Sequence, residues 1–486
     1  MANNTFAELV FIPAPAVGHI MSTIEMAKLL LNRDQTLSVT LLIINPPYSV
    51  LPLTTYIDSL AKNAIERMRF IKLPQDQSSP KLDSNAPFVM SFYEFINSHC
   101  KYVRNILEAA IDQTSSRSRV VGLVVDILCT GMIDVANEYN LPTYVYFTSN
   151  AAFLGFKLHF ETLFVDQKQD LIELANSEGE IVIPSFVNPV PMKVFPEVYR
   201  KQEGLDFLIS AIGRMRKAKG ILINTFLELE THAINSFSGT NFPPVYPVGP
   251  ILNLDGVGGK PDDTDVFRWL QSQPPSSVVL LCFGSTGGFD EAQAKEIARG
   301  LEQSGHRFVW SMRRLPPPEQ SLKVLPDDFD DPRGVLPDGF LERTSGIGKV
   351  IGWAPQVWLL AHEAVGGFVS HCGWNSMLES LWFGVPTATL PMLWEQQMNA
   401  FEMVVELGLA VDLKLDYKIN VLNSEGDVVI VTADEIERGI RQLMENKEVR
   451  TKVKEMSKMS RETVAKGGSS YSSVGYFLKE IMSYVI

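Results

Sequence analysis

The sequence predicts an α/β protein made of two Rossmann-like, doubly wound domains. Three observations lead there. Short apolar runs bounded by Gly or Pro alternate with helix-period segments along most of the chain. That alternation stops at a Pro-, Gly- and Asp-rich stretch, residues 241–263, and then restarts. The length, 486 residues, also exceeds one typical hydrophobic core. The expected organisation is a first domain over 1–245, a linker over 246–263, a second domain over 264–466 and a terminal helix over 467–486.

In the first half, residues 9–13 (LVFIP) read as a strand and 14–20 as the loop after it, carrying Gly18 and His19. A helix is expected from Ser22 to Leu31, opened by a Ser22–Glu25 capping box, with Ile24, Ala27 and Leu31 at helical spacing. Further strands are expected at 37–44, ended by Pro46-Pro47, and at 67–73. Residues 74–87 are polar and turn-rich, a surface loop. One helix is expected over 88–110, with Phe88, Phe92 and Phe95 on a face. Residues 120–125 are a fully apolar strand ending on Asp126, and 143–147 another, leading into Thr148. Ligands of open parallel sheets sit in the loops beyond the strands' carboxyl ends, where His19 and Asp126 fall. Residues 160–200, punctuated by Pro184, Pro189, Pro191 and Pro196, read as irregular structure over a substrate mouth, and 220–224 as a late strand.

The second half restarts with a strand at 278–283. The turn Gly284-Ser285-Thr286-Gly287 then enters a helix near Asp290. Ser285 is placed to bond a phosphate; it is no hydrolase elbow, because Phe283 stands where that motif needs Gly. A strand over 307–312 precedes a Pro- and Asp-rich loop, 315–338. Residues 357–363 read as a short helix and 367–370 as a buried strand. The chain then turns through His371-Cys372-Gly373-Trp374-Asn375 into a helix at Ser376. A strand at 410–413 and helices over 432–445 and 447–465 follow. Gly467-Gly468 break the chain before a last helix over 470–485, with Val474, Phe477, Leu478 and Ile481 on one face.

Composition narrows the function classes. A net charge of −13 argues against nucleic acid or an acidic membrane as partner, so an anion site must rely on local N–H groups and His. The four cysteines show neither metal-ligand nor disulfide spacing, which suits a reducing cytosol. No basic, apolar leader opens the chain, and no apolar run approaches the roughly 18 residues of a membrane span.

The strand, turn and helix over 367–379 make an anion site, because unpaired N–H groups and the helix dipole meet there. His371, Asn375 and Ser376 sit at its mouth as donors. Glu379, one turn further, can accept from ribose hydroxyls, and Trp353 offers an aryl face to a nucleobase. Together these are the parts of a nucleotide-diphosphate site. Taken singly, each has a plainer explanation. Ser376 and Glu379 fit a capping box, His371 an ordinary turn and Trp353 a core position.

Residues 353–396 resemble the signature box of plant secondary-product glycosyltransferases, the UDP-sugar-dependent family 1 enzymes. The matching positions are Trp353, Ala354, Pro355, Gln356, His362, His371-Cys-Gly-Trp-Asn-Ser376, Glu379-Ser380, Gly384-Val-Pro386, Pro391 and Glu395-Gln396. Gly18-His19 and Val248-Gly249-Pro250 extend the likeness over the chain. The resemblance implies a GT-B architecture, two domains facing across a cleft, with the last segment crossing back onto the first domain. It implies that Trp353 and Ala354 receive uracil and that Gln356 reads its edge. Ser285, His371, Asn375 and Ser376 would hold the phosphates and Glu379 the ribose. Thr148, Trp374, Glu395 and Gln396 would contact the sugar, with Gln396 pointing to glucose.

His19 is the implied general base, oriented by Asp126, for an inverting transfer. No Asp-x-Asp pair stands on a strand-end loop, and Asp262-Asp263 and Asp330-Asp331 read as solvated. UDP-glucose is therefore expected as co-substrate, with neither metal nor cofactor. The acceptor is expected to be small and lipophilic, a flavonoid, other phenolic or terpenoid, held by Gly18, Phe88, Phe92, Phe153, Phe195 and Trp394. Phe88 and Phe92 are equally suited to core. Ser22-Thr23 stands where many members have Pro, and Leu393-Trp394 where Tyr-Ala is commoner. The alternatives are a transferase of another UDP-sugar, an epimerase or phosphorylase, whose motifs are missing, and a non-catalytic receptor, against which His19 and Asp126 stand. A cytoplasmic monomer without nucleic-acid or membrane partners is expected.

Overall fold

The computed structural model describes residues 6–45, 57, 65–74, 88–112, 118–254, 264–317, 324–419 and 429–484. The first sheet is formed by β1 (Phe6–Ile12), β2 (Leu37–Ile43), β3 (Met68–Lys72), β4 (Ser118–Asp126), β5 (Thr143–Phe147), β6 (Gly220–Ile223) and β7 (Val245–Pro247). Its order is β3-β2-β1-β4-β5-β6-β7, parallel throughout. The second sheet contains β8 (Val278–Cys282), β9 (Arg307–Ser311), β10 (Gly348–Ile351), β11 (Val365–Ser370), β12 (Thr387–Thr389) and β13 (Ala410–Asp412). Its order is β10-β9-β8-β11-β12-β13, again parallel. Both sheets therefore reverse their winding at a central pair, β1/β4 and β8/β11, and open a crevice at those carboxyl ends.

The central strands read as unbroken apolar runs because helices cover both faces. Val10 and Ile12 of β1 enter one core and Leu9 and Phe11 the other, as the pleat requires. Each domain thus has two apolar layers, one on each side of its sheet.

The helices depart from expectation in instructive ways. Helix α1 (Val17–Arg33) begins right after the β1 turn, so Ser22 lies in its second turn and caps nothing. The apolar stripe simply continues upstream through buried Ile20, and the Ser22 hydroxyl is 2.6 Å from that of Tyr146. His19 is consequently a first-turn residue of a helix rather than part of a loop. The expected long helix is two, α2 (Phe88–Asn97) and α3 (Cys100–Asp112). At the junction the buried His99 turns its Nδ1 back to the Phe95 carbonyl, 2.9 Å away. Helix α4 (Ala151–Val165) was not foreseen. It is buried on nearly all sides and shows no amphipathic period.

Strand β7 extends the first sheet into the stretch read as linker. The expected loop over 315–338 contains Asp327–Asp328, which pairs antiparallel with Arg313–Arg314. Residues 75–87 of the expected surface loop, and Asp262-Asp263, lie outside the described residues.

Helices α5 (Gln202–Met215), α6 (Glu291–Ser304), α7 (Gln356–Ala361), α8 (Trp374–Phe383), α9 (Gln396–Phe401), α10 (Ala433–Glu445) and α11 (Lys447–Val464) complete the layers. The last helix, α12 (Ser469–Met482), lies on the first sheet. Phe477 meets Tyr144 edge-on at 4.9 Å, and Glu480 accepts from the hydroxyls of Tyr144 at 3.0 Å and Tyr246 at 2.6 Å. No helix among the described residues is long and apolar enough to cross a membrane.

Candidate active site

The two switch points face each other, and the first supplies a proton acceptor. His19 stands at the start of α1 and Asp126 at the end of the neighbouring β4. Their Nδ1 and Oδ2 are 2.7 Å apart. Asp126 is buried, and its other oxygen accepts from the Leu128 N–H at 2.9 Å, which fixes the carboxylate. The Thr148 hydroxyl lies 3.2 Å from the same Nδ1. A carboxylate only accepts, so Nδ1 carries the proton and Nε2 is left as the basic nitrogen. Burial pulls the imidazole pKa down. The Asp126 charge and hydrogen bond outweigh it, Glu395 adds to them, and the result lies above the ordinary 6.5.

The second switch point supplies the anion site. The turn after β11 passes through Cys372, at a positive φ of 64°, to Gly373, the N-cap of α8. No side chain caps this helix, and its first internal bond runs from the Met377 N–H to the Gly373 carbonyl. The N–H groups of Trp374, Asn375 and Ser376 have no intrahelical acceptor, and they carry the positive end of the dipole. The helix starts two residues before the expected point, which overturns the Ser376–Glu379 capping box.

Those two side chains instead flank Gln356, whose amide nitrogen donates to Ser376 Oγ at 2.9 Å and Glu379 Oε2 at 2.6 Å. Gln356 therefore groups with the pair expected at phosphate and ribose. Burial pushes the Glu379 carboxyl up to about 7, against the Gln356 hydrogen bond.

His371 is buried, and burial alone pushes its imidazole down to about 4. It is neutral at pH 7 and can offer an N–H but no charge. The turn bearing Ser285 closes over it. A Cβ on Gly284, where φ is 70°, would come within 2.6 Å of His371 Nε2. Trp353 is 48% exposed, with the Arg313 guanidinium 5.0 Å from its ring centroid, while Ala354 beside it is buried.

Two other expected sugar contacts have partners within the protein. The Trp374 indole is buried and donates to the Asn224 carbonyl of the first domain at 2.7 Å. Only its backbone N–H faces the anion site. Gln396 Oε1 accepts from the N–H groups of Met392 and Leu393, both at 2.9 Å. It holds the turn that presents Trp394, at a φ of 59°, and Glu395.

Between the two halves lies a cavity of about 310 Å³ lined by His19, Thr148, Phe88, Phe92, Phe153, Trp394 and Glu395. Phe88 stacks on Phe92 at 5.4 Å and meets Trp394 of the other domain at 6.1 Å, so these rings are pocket wall. Phe195 is not. It packs edge-on against Phe156 and Phe160 and belongs to the core beneath. Gly18 does not line the cavity either. Its carbonyl accepts from the Asn375 amide at 3.2 Å, and a Cβ there would sit 3.3 Å from that nitrogen. Tyr199, Phe207 and Lys157 also line the cavity and were not foreseen. Lys157 lies inside α4, where no helical period marked a face. Asp331, expected as solvated, caps the 3₁₀ turn Pro332–Gly334 at the surface.

The chain matches the family model described as UDP-glucoronosyl and UDP-glucosyl transferase over residues 36–463. It is 48% identical to UDP-glucose flavonoid 3-O-glucosyltransferase 6 of Fragaria ananassa, covering 98% of this chain and 99% of that protein. It is 50% identical to UDP-glycosyltransferase 101 of Panax ginseng, covering 98% and 100%. Among solved structures it is similar to a UGT transferase from Siraitia grosvenorii in complex with UDP, at 44% identity and a TM-score of 0.84, covering 98% and 100%. Medicago truncatula UGT71G1 complexed with UDP-glucose gives 38% identity and a TM-score of 0.84, covering 99% and 100%.

Proposed function

Since the chain belongs to the UDP-glucoronosyl and UDP-glucosyl transferase family and has its GT-B fold, we propose that it moves glucose from UDP-glucose to a hydroxyl of a small lipophilic acceptor, with inversion. The observation that carries this reading is the His19–Asp126 pair opening into an aromatic cavity that also holds Thr148 and Glu395. The Fragaria relative, named for flavonoid 3-O-glucosylation, and the UDP-glucose bound to the Medicago protein support flavonoid or phenolic acceptors and glucose.

In the proposed reaction His19 Nε2 takes the proton of the acceptor hydroxyl as its oxygen attacks the anomeric carbon. The bond from that carbon to the UDP phosphate oxygen breaks on the opposite face, which inverts an α-linked donor to a β-glucoside. Asp126 stabilises the imidazolium without itself taking the proton. In this reading the departing UDP gains negative charge at the N-terminus of α8, where unpaired N–H groups offset it and the Ser285, Asn375 and Ser376 side chains would add donors. Charge is offset there by dipoles, and we propose that no metal is needed.

Initial rates with UDP-glucose and UDP-galactose on a flavonol acceptor test the donor, and proton NMR of the product tests the anomer. Faster transfer from UDP-galactose would overturn the glucose assignment, and an α-glucoside the inversion. Activity should survive millimolar EDTA. Loss restored by Mg²⁺ or Mn²⁺ would refute metal independence.

A further inference from the structure

The acceptor cavity is aromatic on most sides, yet its wall contains a cation. Lys157, in the middle of α4, is 5% exposed and lines the cavity with His19 and Glu395. Its ammonium donates to the Tyr199 hydroxyl and lies 4.6 Å from the Phe153 ring centroid and 4.8 Å from that of Tyr199. Among the described residues it has no carboxylate within ion-pair distance. Tyr199 is no counter-ion, because burial pushes its hydroxyl far above the ordinary range and keeps it neutral. An ammonium has three N–H donors, and Tyr199 uses one. Burial without a paired charge is costly, and it draws the Lys157 pKa down to about 7 against the pull of Glu395.

A buried amine with spare donors, facing an apolar cavity, is built to meet a charge brought by the ligand. We propose that Lys157 determines acceptor specificity by receiving a carboxylate carried by the acceptor, at a position other than the hydroxyl that His19 deprotonates. The proposal rests on reading this cavity as the acceptor site. The substrate class it names is the aromatic hydroxy acid. The rings of Phe88, Phe92 and Phe153 take the flat body, His19 the hydroxyl, and Lys157 the acid.

The test is calorimetric binding of 4-hydroxycinnamic acid and its methyl ester to the UDP-bound protein and to Lys157→Met, which keeps length and removes charge. The wild type should favour the acid by about 10- to 100-fold, the weight of a charged hydrogen bond. Lys157→Met should lose at least tenfold in acid affinity and keep its affinity for the ester and for UDP. Lys157→Gln, which keeps a donor but no charge, should fall between and serves if the Met variant fails to fold. Equal acid affinity in wild type and variants, or a wild-type preference for the ester, would overturn the proposal. Glucosyl transfer to the same compounds is read separately. No turnover with an intact acid preference would strike the transferase reading alone, and normal turnover with an unchanged preference would strike only the role of Lys157.

Discussion

A phenol of pKa about 10 keeps its proton at neutral pH, and an imidazole at about 6.5 is a weak base toward it. The 2.7 Å contact to Asp126 changes that balance by favouring the protonated ring. Activity should therefore have an acid limb whose pKa lies above 6.5, because the base must be neutral to accept and its pKa is raised. Asp126→Asn should move that limb to lower pH and reduce kcat by roughly 10²–10⁴, as removal of a triad Asp does, with UDP affinity unchanged. An unmoved limb would disconnect Asp126 from the base. His19→Ala should nearly abolish transfer to aliphatic alcohols and hurt acidic phenols less, which a series of acceptors of graded pKa would reveal.

A second residue titrates in the same range with the opposite use. Burial pushes the Glu379 carboxyl up to about 7, and in the proposed site only its ionised form would accept fully from two ribose hydroxyls. The KM for UDP-glucose should therefore fall as pH rises through about 7 in the wild type and stay flat in Glu379→Gln. A pH-dependent KM that persists in the variant would assign the titration to another group.

Among the elements, the β11–α8 junction shows what a sequence can and cannot disclose. Residues 367–370 were legible as a strand, inside the observed Val365–Ser370, because the run is short, largely apolar and bounded by glycine. The grouping of His371, Asn375, Ser376 and Glu379 around one junction was legible too, since a strand, a turn and a helix start leave little freedom. The start of α8 was not, because a Ser followed three residues later by a Glu matches a capping box whether or not the helix begins there. Only the fold shows that Gln356 takes both side chains. Phe195 and Lys157 show the same limit in three dimensions. Composition cannot tell which aromatic of a crowded set faces a cavity, nor that a lysine among phenylalanines is pocket wall.

The turn opposite has its own requirement. Gly284 combines a left-handed φ of 70° with a Cβ position 2.6 Å from His371 Nε2. Gly284→Ala should cost about 1–3 kcal/mol for the backbone strain and displace His371, so KM for UDP-glucose should rise while a melting curve shows a modest loss. An unchanged KM would mean that the turn bends away at no cost to the phosphate site.

At the scale of the whole molecule, the cleft requires two domains to hold one spacing. The contacts that do so are both polar and apolar: among them are the Trp374 indole on the Asn224 carbonyl at 2.7 Å, the Asn150 amide on Asn399 at 2.8 Å, Lys418 on Glu197 at 2.7 Å, and the ring of Phe186 against Phe401 at 6.0 Å. A covalent crossing adds to them. Helix α11 packs on the second domain, α12 on the first, and Gly467-Gly468 joins the two. The sequence showed this break and the apolar face beyond it, but the half-buried Glu480 contacts need the partner tyrosines in place. On the first sheet α12 buries Val474, Phe477, Leu478 and Ile481, each at most 7% exposed. At about 1.5–3 kcal/mol per side chain these four give a gross burial term of about 6–12 kcal/mol, comparable with the whole net stability of a domain.

Phe477→Ala should then cost about 3–5 kcal/mol, and lower the melting temperature of the first domain by about 6–20 °C at the 2–4 °C per kcal/mol of a domain this size. The loss should fall on acceptor turnover before UDP binding, because His19, Asp126 and most of the aromatic wall stand on the first domain. In the proposed site UDP contacts the second. Calorimetric melting with and without saturating UDP separates the domains. UDP should raise the transition of the second domain in wild type and variant alike, leaving the lowered first transition where it is. A shift under 2 °C would show that the first sheet does not depend on this helix, and equal loss of UDP affinity would show that the strap holds both domains at once.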